Sequence, residues 1–174
     1  MEHFKRPEKG EYGEFYQGYI SMVPEGDLID ILIEQQLVLH NMIIGIPENM
    51  AYYAYDEGKW TIAQMLNHIN DTERIFCYRA LALSRGEKKP IPGYDHNAYV
   101  DAVKTDHRTL ADLAKEFETI RQATISFYAG MPADSSTKKG IVNGTPMSVR
   151  AIAYITIGHL NHHMHILESR YLPQ

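Results

Sequence analysis

The chain has 174 residues, of which 44% are hydrophobic and 22% are charged, and it carries a formal net charge of −5. This size and composition are typical of one globular domain with a sizeable core, and the acidic balance argues against a protein that binds the nucleic-acid backbone. Cys77 is the single cysteine, which excludes an intramolecular disulfide. The sequence contains no bilayer-spanning apolar run and no signal-peptide pattern at its start, so we expect a cytoplasmic protein without a membrane or nucleic-acid partner.

Residues 1–24 form a polar and then aromatic segment that ends at Pro24. We expect this N-terminal leader to pack aromatic side chains such as Phe15 and Tyr19 onto the rest of the chain, for example as a short helix. We assign no function to it. Residues 25–172 are then expected to form the domain proper.

The first long helix is predicted from Glu25 to Ile46, because its apolar residues recur at intervals of three and four. Gly45 and Pro47 end it. His40 lies in this helix, where a single histidine among apolar neighbours is more often a core or rim residue than a metal ligand.

The second long helix is predicted to begin at Thr61, which forms a capping box with Gln64, and to run to about Arg85. Residues 87–104 contain a Pro-Gly dipeptide and are predicted to be a loop. The third helix is predicted from Thr105 until it ends near Gly130.

The fourth long helix is predicted to begin at Thr145, since a capping residue followed by proline is a strong helix start, and to extend to Tyr171. Residues 133–144 before it read as a polar loop. Four long helices without a convincing strand predict an all-α fold, a four-helix bundle. The long connections after the second and third helices leave open whether its topology is simple up-down-up-down.

The fourth helix carries a histidine pair, His159 and His163, four residues apart and therefore one turn apart on one face. Two such histidines can bind a metal ion when a third ligand comes from elsewhere. His162 and His165 point away from that face and are interpreted as surface or packing residues.

The candidate third ligand is His68 in the second helix, where it lies in a polar stripe with Asp71, Thr72 and Arg79. Three neutral imidazoles suit zinc, nickel or another borderline divalent ion, and they leave one position free for water or substrate. Zinc is the first choice. Spacing alone leaves a metal site and a chance arrangement equally open.

The polar residues near His68 each have two interpretations. Asp71 either orients a ligand histidine or acts as a base, or it simply pairs with Arg79 or Arg121. Arg79 and Arg121 either bind an anionic substrate end or form buried ion pairs. For Glu73 we favour a solvated position. Cys77 is expected on the opposite side of the helix, as a core thiol.

Several blocks of the sequence resemble the DinB (damage-inducible B) superfamily, also called YfiT-like, of metal-binding four-helix-bundle proteins. The blocks are Lys59-Trp60-Thr61-Ile62, residues 68–74, Tyr78-Arg79-Ala80-Leu81, Glu116-Phe117-Glu118 with Arg121, Ser148-Val149-Arg150-Ala151 and residues 158–163. The resemblance covers about residues 25–172. It implies that His68, His159 and His163 are the metal ligands, and it implies a homodimer.

The resemblance also implies a function, because some members of this family conjugate low-molecular-weight thiols. We favour a metal-dependent transferase that joins such a thiol to a small electrophilic substrate. The alternatives are a metal-dependent hydrolase of an amide or ester, and a non-enzymatic, stress-related metal-binding module that works as a dimer. The sequence does not choose among them.

Overall fold

The computed structural model describes residues 4–172 of the chain. Residues 1–3 of the predicted leader lie outside this range. The described part contains six α-helices and one two-stranded sheet, which confirms the all-α prediction in its main features. None of these helices combines the length and the apolarity needed to cross a membrane. The helices are α1 Gln17–Ser21, α2 Leu28–Ile44, α3 Ile62–Ser84, α4 His96–Ala102, α5 Leu110–Ala129 and α6 Val149–Ile166, and the strands are β1 Lys139–Val142 and β2 Thr145–Ser148.

The four long helices form a bundle in which α2 and α3 each pack against both α5 and α6. Helices α2 and α5 are antiparallel, since His40 pairs with Glu118 and the earlier residue Gln36 pairs with the later residue Gln122. Helices α3 and α6 are also antiparallel, because His68 contacts His163 whereas Phe76 contacts the preceding turn of α6.

Helices α3 and α5 run in the same direction, and this departs from an up-down-up-down bundle. The backbone N–H of Leu110, at the start of α5, donates to Glu48, and that of Ala63, at the start of α3, donates to Ala51. Both helices therefore begin beside the same short segment. The connection between them must return along the whole bundle, which explains its length, and the topology is up-down-down-up.

Helix starts follow local capping chemistry. The capping box of Thr61 and Gln64 is present at the start of α3, as predicted. Helix α5 begins later than predicted: Thr109 and Asp112 form a reciprocal capping box there, and Thr105 lies before the helix. The predicted loop of residues 87–104 contains α4, whose first turn is capped by Asp95.

The prediction that a helix starts at Thr145 was wrong, as was the expectation of no strand. Asn143 and Gly144 have φ angles of 51° and 74°, which produce the tight turn of a β-hairpin. Thr145 to Ser148 consequently form strand β2, in which Pro146 pairs with Ile141. Helix α6 begins only after Ser148, whose side chain accepts a hydrogen bond from the N–H of Ala151.

Two clusters of buried apolar side chains fill the bundle, and a polar layer separates them. One cluster contains Leu32 and Phe76, and the other contains Leu39 and Ile69. Gln35 lies between Leu32 and Leu39 on α2, and Glu73 lies between Ile69 and Phe76 on α3. On α6, His159 lies between residues of the two clusters. The polar groups of the site are thus at mid-height of the bundle.

The N-terminal leader packs on α6 through its helix α1. Glu11 anchors it, accepting hydrogen bonds from Arg150 Nε at 2.6 Å and from Ser148 Oγ at 2.9 Å. The Arg150 guanidinium lowers the pKa of Glu11 to about 2. About two turns further along α6, α1 approaches it closely: a Cβ on Gly158 would lie 1.9 Å from the carbonyl oxygen of Tyr19.

Gly158→Ala is expected to displace α1 from α6. The obstacle is backbone, which cannot rotate away as a side chain can, so we expect a loss of about 1–3 kcal/mol in the free energy of unfolding. Chemical denaturation measures this loss, and limited proteolysis reports exposure of the leader. Gly18→Ala in α1 is the control, since nothing lies within 4 Å of a Cβ there. Equal stability of the two variants would contradict the close approach.

Candidate metal centre

Three buried histidines from α3 and α6 point their Nε2 atoms at one another. The Nε2 atom of His159 lies 3.1 Å from that of His68 and 3.1 Å from that of His163. One ring nitrogen from each histidine lies within 4.8 Å of the other two. The structure therefore brings together the three residues that the sequence predicts as ligands, and we call them the histidine cluster.

The helix geometry produces this convergence. His159 and His163 are one turn apart on α6, and His68 faces them from the antiparallel helix α3. On the far side of the His68 ring, Nδ1 lies 3.4 Å from Thr72 Oγ1, which in turn lies 2.8 Å from the hydroxyl of Tyr94. Thr72 and Tyr94 thus provide the nearest polar support for the His68 ring.

The arrangement of the three histidine Nε2 atoms is explained better by binding of a divalent metal ion than by hydrogen bonds among the histidines alone. A ring nitrogen of imidazole offers either one hydrogen or one lone pair, so His159 Nε2 can satisfy only one of its two neighbours at 3.1 Å. A cation at the centre would accept all three lone pairs. Two histidine nitrogens on one tetrahedral zinc ion lie about 3.3 Å apart, close to the observed separation.

Burial keeps these imidazoles neutral, which is the protonation state that a metal requires. Burial, followed by the influence of His96, lowers the pKa of His68 to about 4. Burial also lowers the pKa of His159 and of His163 well below the usual value, and neighbouring histidines add to this effect. Near neutral pH all three lone pairs are available.

The metal-free protein is expected to lose stability as the pH falls from about 6.5 towards 4. In this window the unfolded chain binds protons that the folded chain excludes, so stability rises with pH. The shift of His68 to about 4 corresponds to about 3 kcal/mol. Denaturant unfolding in the presence of a chelator measures the slope, which should be shallower in His68→Leu. An unchanged slope in that variant, with exposed His165→Ala as control, would contradict the pKa assignment.

The histidine cluster opens onto a cavity of about 460 Å³. Its walls are mainly aromatic, and a buried arginine also lines it. No carboxylate lines it within residues 4–172. The lining residues are Phe15, Tyr16, Tyr19, Trp60, His68, Thr72, Phe76, Arg79, Tyr94, His96, Asn143, His159, His162 and His163. A ligand in this cavity would therefore meet the three Nε2 atoms, ring faces and one cation.

A sequence profile of the DinB superfamily matches residues 33–167, which is most of the chain. The chain belongs to the DinB superfamily. A search among curated proteins returned no match.

Among solved structures, the fold is similar to YfiT from Bacillus subtilis, with a TM-score of 0.68 and 15% sequence identity over 95% of this chain and 91% of that one. YfiT is described as a probable metal-dependent hydrolase with an unusual four-helix bundle topology. At this identity the likeness shows the fold.

The site of this DinB-superfamily chain includes wall residues that the sequence did not reveal. Tyr19 of the leader packs edge-on against His159, with ring centroids 5.6 Å apart, although no function was assigned to the leader. Trp60 lies against His68 at 4.7 Å, and His96 of α4 at 5.8 Å. The one sequence feature that pointed to a place in the cavity wall was the high aromatic content of the leader. No short-range sequence pattern connects these segments with α3 and α6.

Asp71 contacts neither the histidine cluster nor Arg79 or Arg121 in the described part of the chain. Its carboxylate accepts a hydrogen bond from Asn67 at 2.8 Å and lies 3.6 Å from Arg74, and it does not line the cavity. Asp71 is about 60° round α3 from His68, and this rotation turns it towards the partly exposed charges between α3 and α5. Support of the His68 ring comes instead from Thr72.

Arg121 and Glu73 form a buried ion pair, as the structural interpretation of Arg121 anticipated. Glu73 is 3% exposed, so the expectation of a solvated position was wrong. Arg121 is the reason, because its Nε and Nη2 each donate to the Glu73 carboxylate at 2.7 Å. Arg79 has no such partner among residues 4–172 and lines the cavity.

His40, His162, His165 and Cys77 lie outside the cluster. His162 lines the cavity beside Tyr19, and His165 is exposed. His40 pairs with Glu118 on the far side of the bundle, its Nδ1 lying 2.6 Å from the carboxylate. Burial raises the pKa of the Cys77 thiol, which is consistent with an unreactive packing residue.

Proposed function

We propose that this protein is a metal-dependent transferase that joins a low-molecular-weight thiol to a small electrophile. The observation that carries the proposal is that the three Nε2 atoms converge at the wall of an open cavity. No fourth histidine, cysteine or carboxylate joins them within residues 4–172. An open position is typical of catalytic metal sites, whereas structural sites are closed by protein ligands.

His68, His159 and His163 would hold the ion, and three imidazoles suit zinc first and nickel as an alternative. When bound, such an ion lowers the pKa of a water molecule or thiol in its open position. The aromatic walls would bury an apolar electrophile beside the cluster and exclude bulk water. In the reaction the thiol would release its proton to solvent, its sulfur would bond to the electrophilic carbon, and the bond from that carbon to the leaving group would break, so that the group departs as an anion with the bonding electron pair.

The lack of a carboxylate in the described cavity walls favours thiol transfer over hydrolysis. Hydrolysis of an amide requires a residue that takes a proton from water and delivers it to the leaving amine. A thiol is far more acidic than water, and a thiol on a metal is deprotonated outright. Thiol transfer therefore makes a smaller demand on acid–base residues near the cluster.

The test combines metal identification with a screen of small thiols against a chloronitrobenzene electrophile. The protein is purified without an affinity tag and loaded with zinc or with nickel. His163→Ala is expected to lose at least about 100-fold in rate, because metal activation supplies several kcal/mol. Exposed His165→Ala on the same helix is the control and should retain the wild-type rate. Equal rates for wild type and His163→Ala would remove the proposed mechanism.

Hydrolysis is the second candidate, because YfiT is described as a probable metal-dependent hydrolase and shares this fold. His96 lines the cavity and is the candidate residue for proton transfer in such a reaction. The same preparations assayed with activated esters and amides, without thiol, distinguish the two candidates. Turnover that needs the cluster but no thiol would favour hydrolysis.

A non-enzymatic module, a homodimer and a cytoplasmic location stay predictions of the sequence. Sedimentation measures the oligomeric state directly. A metal-loaded protein that is inactive with every thiol, ester and amide would support the module.

A further inference from the structure

Arg79 is a buried cation without a counter-charge in the described part of the chain. Its side chain is 4% exposed. Its one hydrogen bond runs from Nη2 to the carbonyl oxygen of Pro92 at 3.1 Å, and its guanidinium lies 5.6 Å from the centre of the Tyr94 ring. A guanidinium carries five N–H donors, so most of its hydrogen-bonding capacity is unused by residues 4–172.

The other two buried arginines are neutralised by carboxylates. Arg121 pairs with Glu73, and Arg150 pairs with Glu11. Burial of a charge costs several kcal/mol unless a partner compensates it. Arg79 is therefore the exception in this fold, and its position on the cavity wall places the missing partner in the cavity.

The geometry of the cavity separates Arg79 from the histidine cluster. Arg79 is eleven residues beyond His68 on α3, which is about 16 Å along the helix. Phe76 lies between them, with its ring 5.7 Å from that of His159. Asn143 lines the cavity at the Arg79 end, since its backbone N–H donates to Ile91, next to the Pro92 carbonyl.

We propose that the cavity binds a small molecule whose carboxylate group pairs with Arg79, while its apolar body lies along Phe76 and Tyr94 and its reacting end faces the histidine cluster. This inference rests on the proposed use of the cavity as the substrate site. A planar carboxylate matches the forked donors of arginine, and the aromatic walls exclude the water that would otherwise weaken the pair.

The first experiment measures binding without any reaction. Benzoate and its neutral analogue benzamide are titrated into the zinc-loaded protein, and the fluorescence of Trp60, the single tryptophan, reports binding from the cavity wall. Wild type is expected to prefer benzoate. In Arg79→Gln the benzoate affinity is expected to fall about 10- to 100-fold, the usual loss of a charge-assisted hydrogen bond, with benzamide unaffected.

Three controls make this result decisive. Arg79→Lys should keep part of the preference for benzoate. Arg74→Gln, on the same helix but paired with Glu116, should bind like wild type. Arg79→Gln should unfold at the wild-type temperature or above, because it removes an uncompensated buried charge. Unchanged benzoate affinity in Arg79→Gln, no binding to wild type, or a clear loss of stability in Arg79→Gln would each overturn the proposal.

The second experiment identifies which reactant carries the carboxylate. Rates are compared for 4-(mercaptomethyl)benzoate against 4-(mercaptomethyl)benzamide, and for 4-(bromomethyl)benzoate against 4-(bromomethyl)benzamide, because these molecules carry an aromatic body between the carboxylate or amide and the reacting atom. In Arg79→Gln the KM is expected to rise about tenfold or more for the carboxylate-bearing member of one pair only. A rise for neither pair would overturn the proposal. If wild type were inactive with all four compounds, the proposed transferase reaction would be contradicted, whereas the benzoate binding result would remain valid.

Discussion

His159→Ala is expected to abolish stoichiometric metal binding. His159 is the central member of the cluster, because its Nε2 atom lies 3.1 Å from the Nε2 atoms of both His68 and His163. Changes to groups that merely support a ligand weaken metal binding about 10- to 100-fold, so loss of a ligand should weaken it by more than about 100-fold. Metal analysis of untagged protein and zinc titration against a competing chelator measure the effect.

Two matched variants separate this result from a general loss of structure. His68→Ala removes a ligand from α3 and should lose metal as His159→Ala does, although the two changes lie on different helices. His165→Ala removes an exposed histidine from the helix that carries His159 and should retain one metal ion per chain. A wild type without metal, or full occupancy in His159→Ala, would contradict the proposed site.

The helices were predictable because their signals are local. The capping box of Thr61 and Gln64 and the regular apolar spacing of α2 and α5 require only neighbours within a few residues. The hairpin had a local signal too, since Asn143-Gly144 is a strong turn dipeptide. A competing signal, Thr145 followed by Pro146, led to the wrong prediction. Two local rules conflicted there, and the pairing of β1 with β2 decided between them.

The site was predictable in part. Helical spacing paired His159 with His163, the polar stripe of α3 pointed to His68 as their partner, and the family resemblance supported that choice. The walls of the cavity were not predictable, because Tyr19 and His96 reach it from segments far away in the sequence. The same holds for Glu73, whose burial depends on an arginine 48 residues later.

Glu73→Ala is expected to lower the free energy of unfolding by about 3–5 kcal/mol, because it leaves the charge of Arg121 buried and uncompensated. Arg121 is fully buried and donates from Nε and Nη2 to Glu73 at 2.7 Å. Its Nη1 donates to the Leu32 carbonyl and to Gln35, so the same guanidinium joins α5 to α3 and to α2. Gln35 continues the network to α6 through the Ile157 carbonyl.

The double variant Glu73→Leu with Arg121→Met tests whether the penalty comes from the unpaired charge. Because both charges are absent, we expect the double variant to be more stable than Glu73→Leu alone or Arg121→Met alone. The coupling energy between the two changes should be about 2 kcal/mol. Lys115→Ala, which breaks an exposed pair on α5, should change stability by less than about 1 kcal/mol. Losses in the two single variants that simply add in the double variant would show that the ion pair does not act as a unit. Metal binding measured on the double variant then tells whether this polar layer also holds α3 and α6 at the spacing that the histidine cluster needs.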